Sequence, residues 1–440
     1  MSIDKTSANA DKASLDKSAE TAQAVENPEA AVPSVAAVDP RLLVRQEGIL
    51  GYWDEFKRKM KAGELGSLPV VVGLAIICVI FQVLNSNFLS AQNINDITIT
   101  MVGTGMISVG IVFVLLLGEI DLSVGSVSGA ASALAGVLAV NQGWPEWAAV
   151  LVAVAAGVAI GALHGFFFAV LGAPAFAVTL AGLLFWLGFM LKVLGADGTI
   201  NLDPNGLVGK LTTYYFSDVA AAYGLAVVVV AVFFLTSFLS NRRREAVGVP
   251  SRPLSDTLLR TALLAVIAFA AAYMYNQWKG LPLATVVFLA FLVGTDFLLR
   301  RTAYGRKIFA LGGSVEASRR AGINVTAVRI SVFAISGGFA AIGGLFLASK
   351  IASANQSAGT GDLLMNAIAA AVIGGTSLFG GRGRTWNALL GVLVIVSIQY
   401  GLQLESIAEP VKYMITAAVL LTTVVIDSIT RKTQKTAGRA

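Results

Sequence analysis

Residues 97–117 read Ile-Thr-Ile-Thr-Met-Val-Gly-Thr-Gly-Met-Ile-Ser-Val-Gly-Ile-Val-Phe-Val-Leu-Leu-Leu, and the chain continues as Gly118-Glu119-Ile120-Asp121-Leu122-Ser123-Val124-Gly125-Ser126. The first stretch carries no charged side chain. Its length is what a helix needs to cross the hydrocarbon of a bilayer, about 20 residues rising 1.5 Å each. Runs of the same character recur at 65–84, 120–140, 147–171, 174–194, 222–240, 258–275, 281–299, 326–349, 363–379, 386–403 and 411–428. The composition agrees: 56% of the 440 residues are hydrophobic and 13% are charged, against about 25% charged in an ordinary soluble domain. Too little polar surface remains to coat a water-soluble globule of this size. The sequence therefore predicts an all-α polytopic membrane protein with about 12 transmembrane or re-entrant helices, 10 being the lower count, and it excludes a soluble enzyme. The run 363–379 is short and contains Gly374-Gly375, with Gly380-Gly381 just after it. A broken or re-entrant helix is expected there, which is tolerated only where protein or a cavity covers the backbone.

Lys and Arg set the expected topology. With the N-terminus inside and twelve crossings, segment 1–64 holds nine basic residues. Arg242, Arg243, Arg244 and Arg252 fall in 241–257, six more in 300–325, Arg382 and Arg384 in 380–385, and four in the tail. The outside loops hold Lys210, Lys279 and Lys350 at most. This asymmetry is the positive-inside signature, and it places both termini in the cytoplasm of a multi-pass inner-membrane protein. Residues 1–46 have few large apolar side chains before Leu42 and read as a disordered cytoplasmic tail. In 47–62, Ile49, Trp53, Phe56 and Met60 recur at helical spacing beside four basic residues. Two readings stand: an amphipathic helix lying on an anionic membrane face, and a plain basic flank of the first span. The membrane domain is expected over 65–430, with 431–440 a cytoplasmic tail. Loop 195–221, the longest outside, reads as a connector or a surface for an external partner.

Several chemistries are absent. One cysteine, Cys78, and one histidine, His164, exclude a disulfide framework within the chain, a multi-Cys zinc site and a Cys-ligated cluster. There is no phosphate-binding G-x-x-x-x-G-K-[ST] loop and no H-E-x-x-H metal motif. No cofactor is expected in this chain, and no nucleic-acid partner. The spans hold few ionisable residues and no sequence run of acids and histidine suited to relaying protons, so an external energy source is favoured over ion coupling.

Three motifs stand out. In 118–126, Glu119 and Asp121 sit between very apolar runs. Ser123 and Ser126 are suited to cap the next helix, with the acids at its positive end. A structural cap and a role in the pathway or its gating both remain open. In 300–325, residues 314–321 are helix-compatible, with Ser314 as N-cap, Gly312-Gly313 as a turn before it and Gly322 as a stop. A short helix held between two spans suits docking against a partner. In 369–381 the run Ala369-Ala370-Ala371-Val372-Ile373-Gly374-Gly375-Thr376-Ser377-Leu378-Phe379-Gly380-Gly381 suits close helix packing, and a moving gate is the alternative. His164 reads as a packed polar residue on a glycine-lined helix face, not as a ligand. Asn355-Gln356-Ser357 and Asp362 fit either a hydroxylated solute or solvated loop.

Together these stretches resemble the permease subunits of bacterial ATP-binding-cassette importers for monosaccharides, of the type II importer architecture. The E-I-D-L-S-V-G-S core at 119–126, the segment from Tyr304-Gly305-Arg306 to Gly322-Ile323-Asn324-Val325, and V-I-G-G-T-S-L-x-G-G at 372–381 carry the resemblance across roughly 65–430. Gly143-Trp144-Pro145, Pro174 to Gly182 and the arginine-rich 242–260 are similar to the xylose branch. Gly312-Gly313-Ser314 departs from the family's usual G-G-N, and Ala317-Ser318-Arg319-Arg320-Ala321-Gly322 from A-A-R-L-S-G. The resemblance implies a homodimer of permeases, two cytoplasmic ATPase subunits that hold ATP and Mg, and a periplasmic sugar-binding protein. It implies that Ser314, Glu316, Arg319, Gly322 and Asn324 belong to the ATPase contact. Glu119, Asp121, Ser123, Ser126, Gly374, Gly375 and Thr376 are the pathway or gating candidates. D-xylose is the expected cargo, with ribose, arabinose, galactose or glucose as alternatives. A branched-chain amino acid carried by the same architecture, and a secondary transporter, stand further off.

Overall fold

The computed structural model describes residues 68–248 and 253–436, except the side chains of 423, 424 and 426–436. The tail expected at 1–46, the segment 47–62 with its two readings, and residues 437–440 lie outside the described residues. Among the described residues fifteen helices follow in order: α1 Leu68–Leu84, α2 Ala91–Leu116, α3 Val124–Gly136 with a π-turn Val137–Asn141, α4 Glu146–Ala169, α5 Ala175–Leu194, α6 Leu207–Thr213, α7 Val219–Ala246, α8 Leu254–Asn276, α9 Leu283–Arg301, α10 Ala303–Gly313, α11 Val315–Arg320, α12 Val325–Ile351, α13 Leu363–Ile373, α14 Thr385–Leu404 and α15 Glu409–Thr436. Among the described residues, nine helices are long and apolar enough to cross a membrane, and α1 and α13 are shorter apolar helices. Every run predicted from the sequence is helical in its interior. The tenth is broken as expected: α13 stops at Ile373, and irregular backbone runs to Arg384. The third starts later than its hydropathy suggests, because 118–123 are not helical.

The hairpin loops are tied by two short antiparallel strand pairs. β1 Thr199–Asn201 pairs with β4 Ser353–Asn355, and β2 Tyr215–Phe216 with β3 Leu281–Pro282. Loop 195–221 is therefore more than a connector. It contributes two strands and α6, whose Val208 N–H donates to Glu146 Oε2 at 3.1 Å.

α2 is the axis of the bundle, enclosed by α12, α14, α13, α9 and α8. Alternating small and large residues let it sit there: Gly103, Gly105 and Gly110 receive Leu347, Phe288 and Phe339. α12 crosses α4 just as closely. A Cβ on Gly157 would stand 2.6 Å from the Ala341 Cβ, and one on Gly161 2.8 Å from the Phe333 carbonyl carbon. α7 and α8 pack mainly on one another and expose Val228, Val232, Leu235, Leu263 and Val266. A surface of that kind suits lipid tails.

Candidate functional site

The three motifs meet at one end of the bundle. Leu116, the last residue of α2, accepts a hydrogen bond from the Gly381 N–H at 2.9 Å. A Cβ on Gly312 would collide with that same carbonyl. One on Gly380 would stand 2.7 Å from the Gly312 carbonyl oxygen and 3.0 Å from the Gly118 nitrogen. Backbone packs on backbone, so only hydrogen fits at 312 and 380. Gly118 itself has φ 80°, a conformation that costs other residues strain. Gly312-Gly313 are not the expected turn. They are the last residues of α10, and the close approach to Leu116 requires a residue without a side chain at 312, whatever its intrinsic helix preference, while 313 faces open space.

α11 starts immediately beyond this junction. Ser314 caps it as expected, accepting from the Ala317 N–H at 3.2 Å. Gly322 ends it with φ 77°, and the Ile323 N–H returns to the Ser318 carbonyl at 3.1 Å. Asn324 then caps α12, accepting from Ala327 at 3.0 Å. α11 is thus joined to α12 through two successive caps and little slack. Glu316 lies 3.6 Å from Arg319 and 3.8 Å from Arg320, all strongly exposed. Such pairs add little stability, which leaves their charges available to a partner. Tyr304 joins α10 to α12 through the Ser331 hydroxyl at 2.7 Å.

Between junction and bundle lies a closed polar chain. Asp121 is buried, and its carboxylate accepts from the Ser123 hydroxyl at 2.6 Å, the Ser123 N–H at 2.9 Å and the Ser336 hydroxyl at 3.0 Å. Ser123 Oγ lies 3.1 Å from His164 Nδ1, and Trp186 Nε1 donates to His164 Nε2 at 3.1 Å. An indole nitrogen only donates, so Nε2 is the bare nitrogen and Nδ1 carries the hydrogen. Nδ1–H then donates to Ser123, and Ser123 donates to Asp121. One proton arrangement satisfies every member, and it links the 118–123 loop to α4, α5 and α12. Ser123 stands at the N-cap position of α3 but makes no side-chain cap bond, and Ser126 donates to the Ser123 carbonyl at 2.9 Å. The expected capping serines are therefore spent elsewhere, because Asp121 and His164 compete for the Ser123 hydroxyl. Glu119 is half-buried. Burial pushes its carboxyl above the usual carboxylate range, and Arg329, whose guanidinium sits 4.3 Å over the Phe168 ring, pulls it part of the way back.

In the third motif, a Cβ on Gly374 would collide with the Asn387 carbonyl, and one on Gly391 with that of Ala370. Asn387 Nδ2 donates to Thr376 Oγ1 at 3.3 Å. α13 and Gly374 are close-packed on α14 here, and Gly375 turns the chain away with φ 103°. Asp362 accepts from Asn366 at 2.6 Å and Asn355 from the Ser357 N–H at 3.0 Å, so both are engaged locally. No group of three or more His, Cys, Asp or Glu among the described residues is placed to hold a metal ion. Sequence reasoning missed the joining role of His164, Trp186 and Ser336. The one visible signal was a lone histidine between Gly161 and Gly165 on a helix with no other charged or hydrogen-bonding side chain beyond Glu146 and Trp147 in its first turn.

The chain matches, over residues 93–424, the family described as branched-chain amino acid transport system / permease component. It is 34% identical over 345 residues to the xylose transport system permease protein of Escherichia coli strain K12, covering 78% of this chain and 87% of that protein. The xylose transport system permease protein of Haemophilus influenzae is 32% identical over 375 residues, 85% of this chain and 99% of that one. The ribose import permease protein of Bacillus subtilis strain 168 is 29% identical over 373 residues, with 85% and 96% covered. No solved structure matches the chain. The family match begins in α2, ends in α15 and spans all three motifs of the junction, so the chain belongs to this family of multi-pass membrane permease components.

Proposed function

We propose that this chain is the membrane-spanning subunit of an ATP-driven importer in a bacterial inner membrane, and that it carries a monosaccharide, D-xylose first. It works as a homodimer with two cytoplasmic ATPase subunits, which hold ATP and Mg, and a periplasmic binding protein that delivers the sugar. Both termini are cytoplasmic. The observation that carries this reading is the junction: exposed α11 is built onto the contact between the ends of α2 and α10 and the 374–384 loop, so force applied to α11 reaches α2 and α12 without an intervening flexible linker. Ser314, Glu316, Arg319, Gly322 and Asn324 form the ATPase contact. Asp121, Ser123 and Ser126 hold the shape of the loop behind it, while Glu119, Gly374, Gly375 and Thr376 belong to the moving end of the pathway. The ribose import relative supports a second cargo within the same class.

Proteoliposomes holding the permease, its ATPase and its binding protein should accumulate D-xylose only with ATP inside. Uptake by the permease alone under an ion gradient overturns the proposal. Gly322→Ala costs about 1 kcal/mol of backbone strain at φ 77°, which is roughly fivefold in any equilibrium requiring intact α11. Gly322→Ala and Glu316→Lys should both reduce co-purification of the ATPase at unchanged membrane content. Undiminished capture by both variants would remove α11 from the docking site.

A further inference from the structure

α2 is the most enclosed of the candidate spans, with 89% of its apolar window buried. Between Asp96 and Leu116 its only unburied residues are Asp96, Thr100 and Thr104. The spacing of four puts them in one stripe on one face, about 12 Å long at 1.5 Å per residue. All three are polar. On α7 and α8, by contrast, the exposed residues inside the apolar stretches are mostly apolar, among them Val227, Val228, Val232, Leu235, Leu263 and Val266, and the exposed Thr236 hydroxyl is taken up by the Val232 carbonyl of its own helix at 2.7 Å. Facing lipid, an ionisable group within a span costs a few kcal/mol. The polar stripe therefore faces water or protein, and the apolar one lipid.

Two neighbouring helices complete the stripe at the end of the bundle away from the junction. Lys350, exposed in the last turn of α12, donates to Thr100 Oγ1 at 2.7 Å and reaches the Tyr400 hydroxyl of α14 at 3.5 Å. The Thr100 and Tyr400 hydroxyls lie 2.7 Å apart, and Thr100 also donates to the Asp96 carbonyl at 2.6 Å. With its hydrogen committed there, Thr100 accepts from Tyr400, whose oxygen faces Lys350 on one side and keeps a second lone pair for another donor. The group thus offers an acceptor-only carboxylate, a donor-only ammonium and hydroxyls that do both.

We propose that Asp96, Thr100, Thr104, Lys350 and Tyr400 line the translocation path and hold a monosaccharide in transit by hydrogen bonds to its hydroxyls. A sugar ring presents hydroxyls that each donate and accept, which matches this mixed set better than a purely acidic or basic one would. Several modest contacts spread along 12 Å also suit a station that must release its cargo. This inference rests on the importer reading above.

The complete importer in proteoliposomes is assayed for ATP-driven uptake of labelled D-xylose, comparing the parent with Asp96→Asn, Tyr400→Phe and the lipid-facing control Val232→Thr at equal permease content. The first two should lose at least tenfold in initial rate, and the control should match the parent. Parent-like uptake by Tyr400→Phe and Asp96→Asn overturns the site and leaves the importer reading standing. Failure of the parent itself to carry any monosaccharide overturns the importer reading. The stripe is then judged separately in a Cys78→Ser background. A charged, membrane-impermeant thiosulfonate supplied on both sides, with and without ATP, should modify Thr104→Cys and spare Val232→Cys. No modification of Thr104→Cys in either state overturns the aqueous stripe, and this arm also decides the matter if Asp96→Asn fails to accumulate.

Discussion

Gly161→Leu is expected to lower the thermal midpoint sharply and to cut the recovery of folded protein from the membrane. α4 presents Gly157, Gly161 and Gly165 to α12, which answers with Phe333, Gly337 and Ala341. A Cβ on Gly161 would collide with the Phe333 carbonyl oxygen and one on Gly337 with that of Gly157. The obstacles are backbone atoms, so no rotamer change relieves them. Between helices in lipid there is no hydrophobic driving force to compensate, because association rests on close packing itself. Overpacking a core costs typically 1–3 kcal/mol, and a rigid obstacle puts this site at the top of that range. About 3 kcal/mol lowers the folded-to-unfolded ratio more than a hundredfold. The measurement is recovery of monodisperse protein in detergent together with its thermal midpoint. Gly161→Ala should fall between parent and Gly161→Leu. Gly188→Leu, where a new Cβ meets nothing within 4 Å, should be tolerated. A parental midpoint for Gly161→Leu would mean that α4 and α12 do not cross here.

The second large effect concerns Asp121. Asp121→Ala strips the partner from three donors at once: the Ser123 N–H, the Ser123 hydroxyl and the Ser336 hydroxyl. A buried donor left unsatisfied costs about 1–3 kcal/mol, so a total of roughly 4 kcal/mol is expected once the hydroxyls partly relax. Asp121→Asn tests whether charge or hydrogen bonding matters. The amide keeps an acceptor for Ser123, and the Ser336 hydroxyl turns to accept from its NH₂. Asp121→Asn should therefore stay within about 1.5 kcal/mol of the parent. A double-mutant cycle of Asp121→Ala with Ser336→Ala should give a coupling of about 1–2 kcal/mol, read from thermal midpoints. Additivity in that cycle would show that the two side chains are not bonded. Loss of the chain also frees His164 from Ser123, so Trp186 fluorescence should shift in Asp121→Ala and not in Asp121→Asn.

Both experiments bear on how one end of the bundle transmits movement. Ser336 sits on α12, the helix that α11 feeds through the Asn324 cap, and Asp121 sits in the loop that α2 enters at the junction. The bond between them joins the two helices that meet the junction from different directions. A displacement of α11 would be carried to the 118–123 loop through α12 and through the Gly312 contact alike.

Local chemistry is written into neighbouring residues, and those parts were legible. Apolar runs long enough to span a bilayer announced the helices. Ser314 and Gly322 announced the two ends of α11, because a cap acts over three or four residues, whereas the Asn324 cap of α12 was not read from the sequence. Gly374-Gly375 announced the break after α13. Where the same local logic met long-range contact, it failed. Ser123 has the right type and place for a cap, but a buried carboxylate and a histidine from α4 take its hydroxyl. Gly312-Gly313 has turn composition, but the carbonyl of Leu116 demands a residue without a side chain, and the helix runs on through both. The convergence of three loops drawn from the front, middle and rear of the chain, the partners of His164 and the polar stripe on α2 depend on which helices become neighbours. That choice is made by the summed packing of many glycine and aromatic contacts far apart along the chain, and no single stretch of residues contains it.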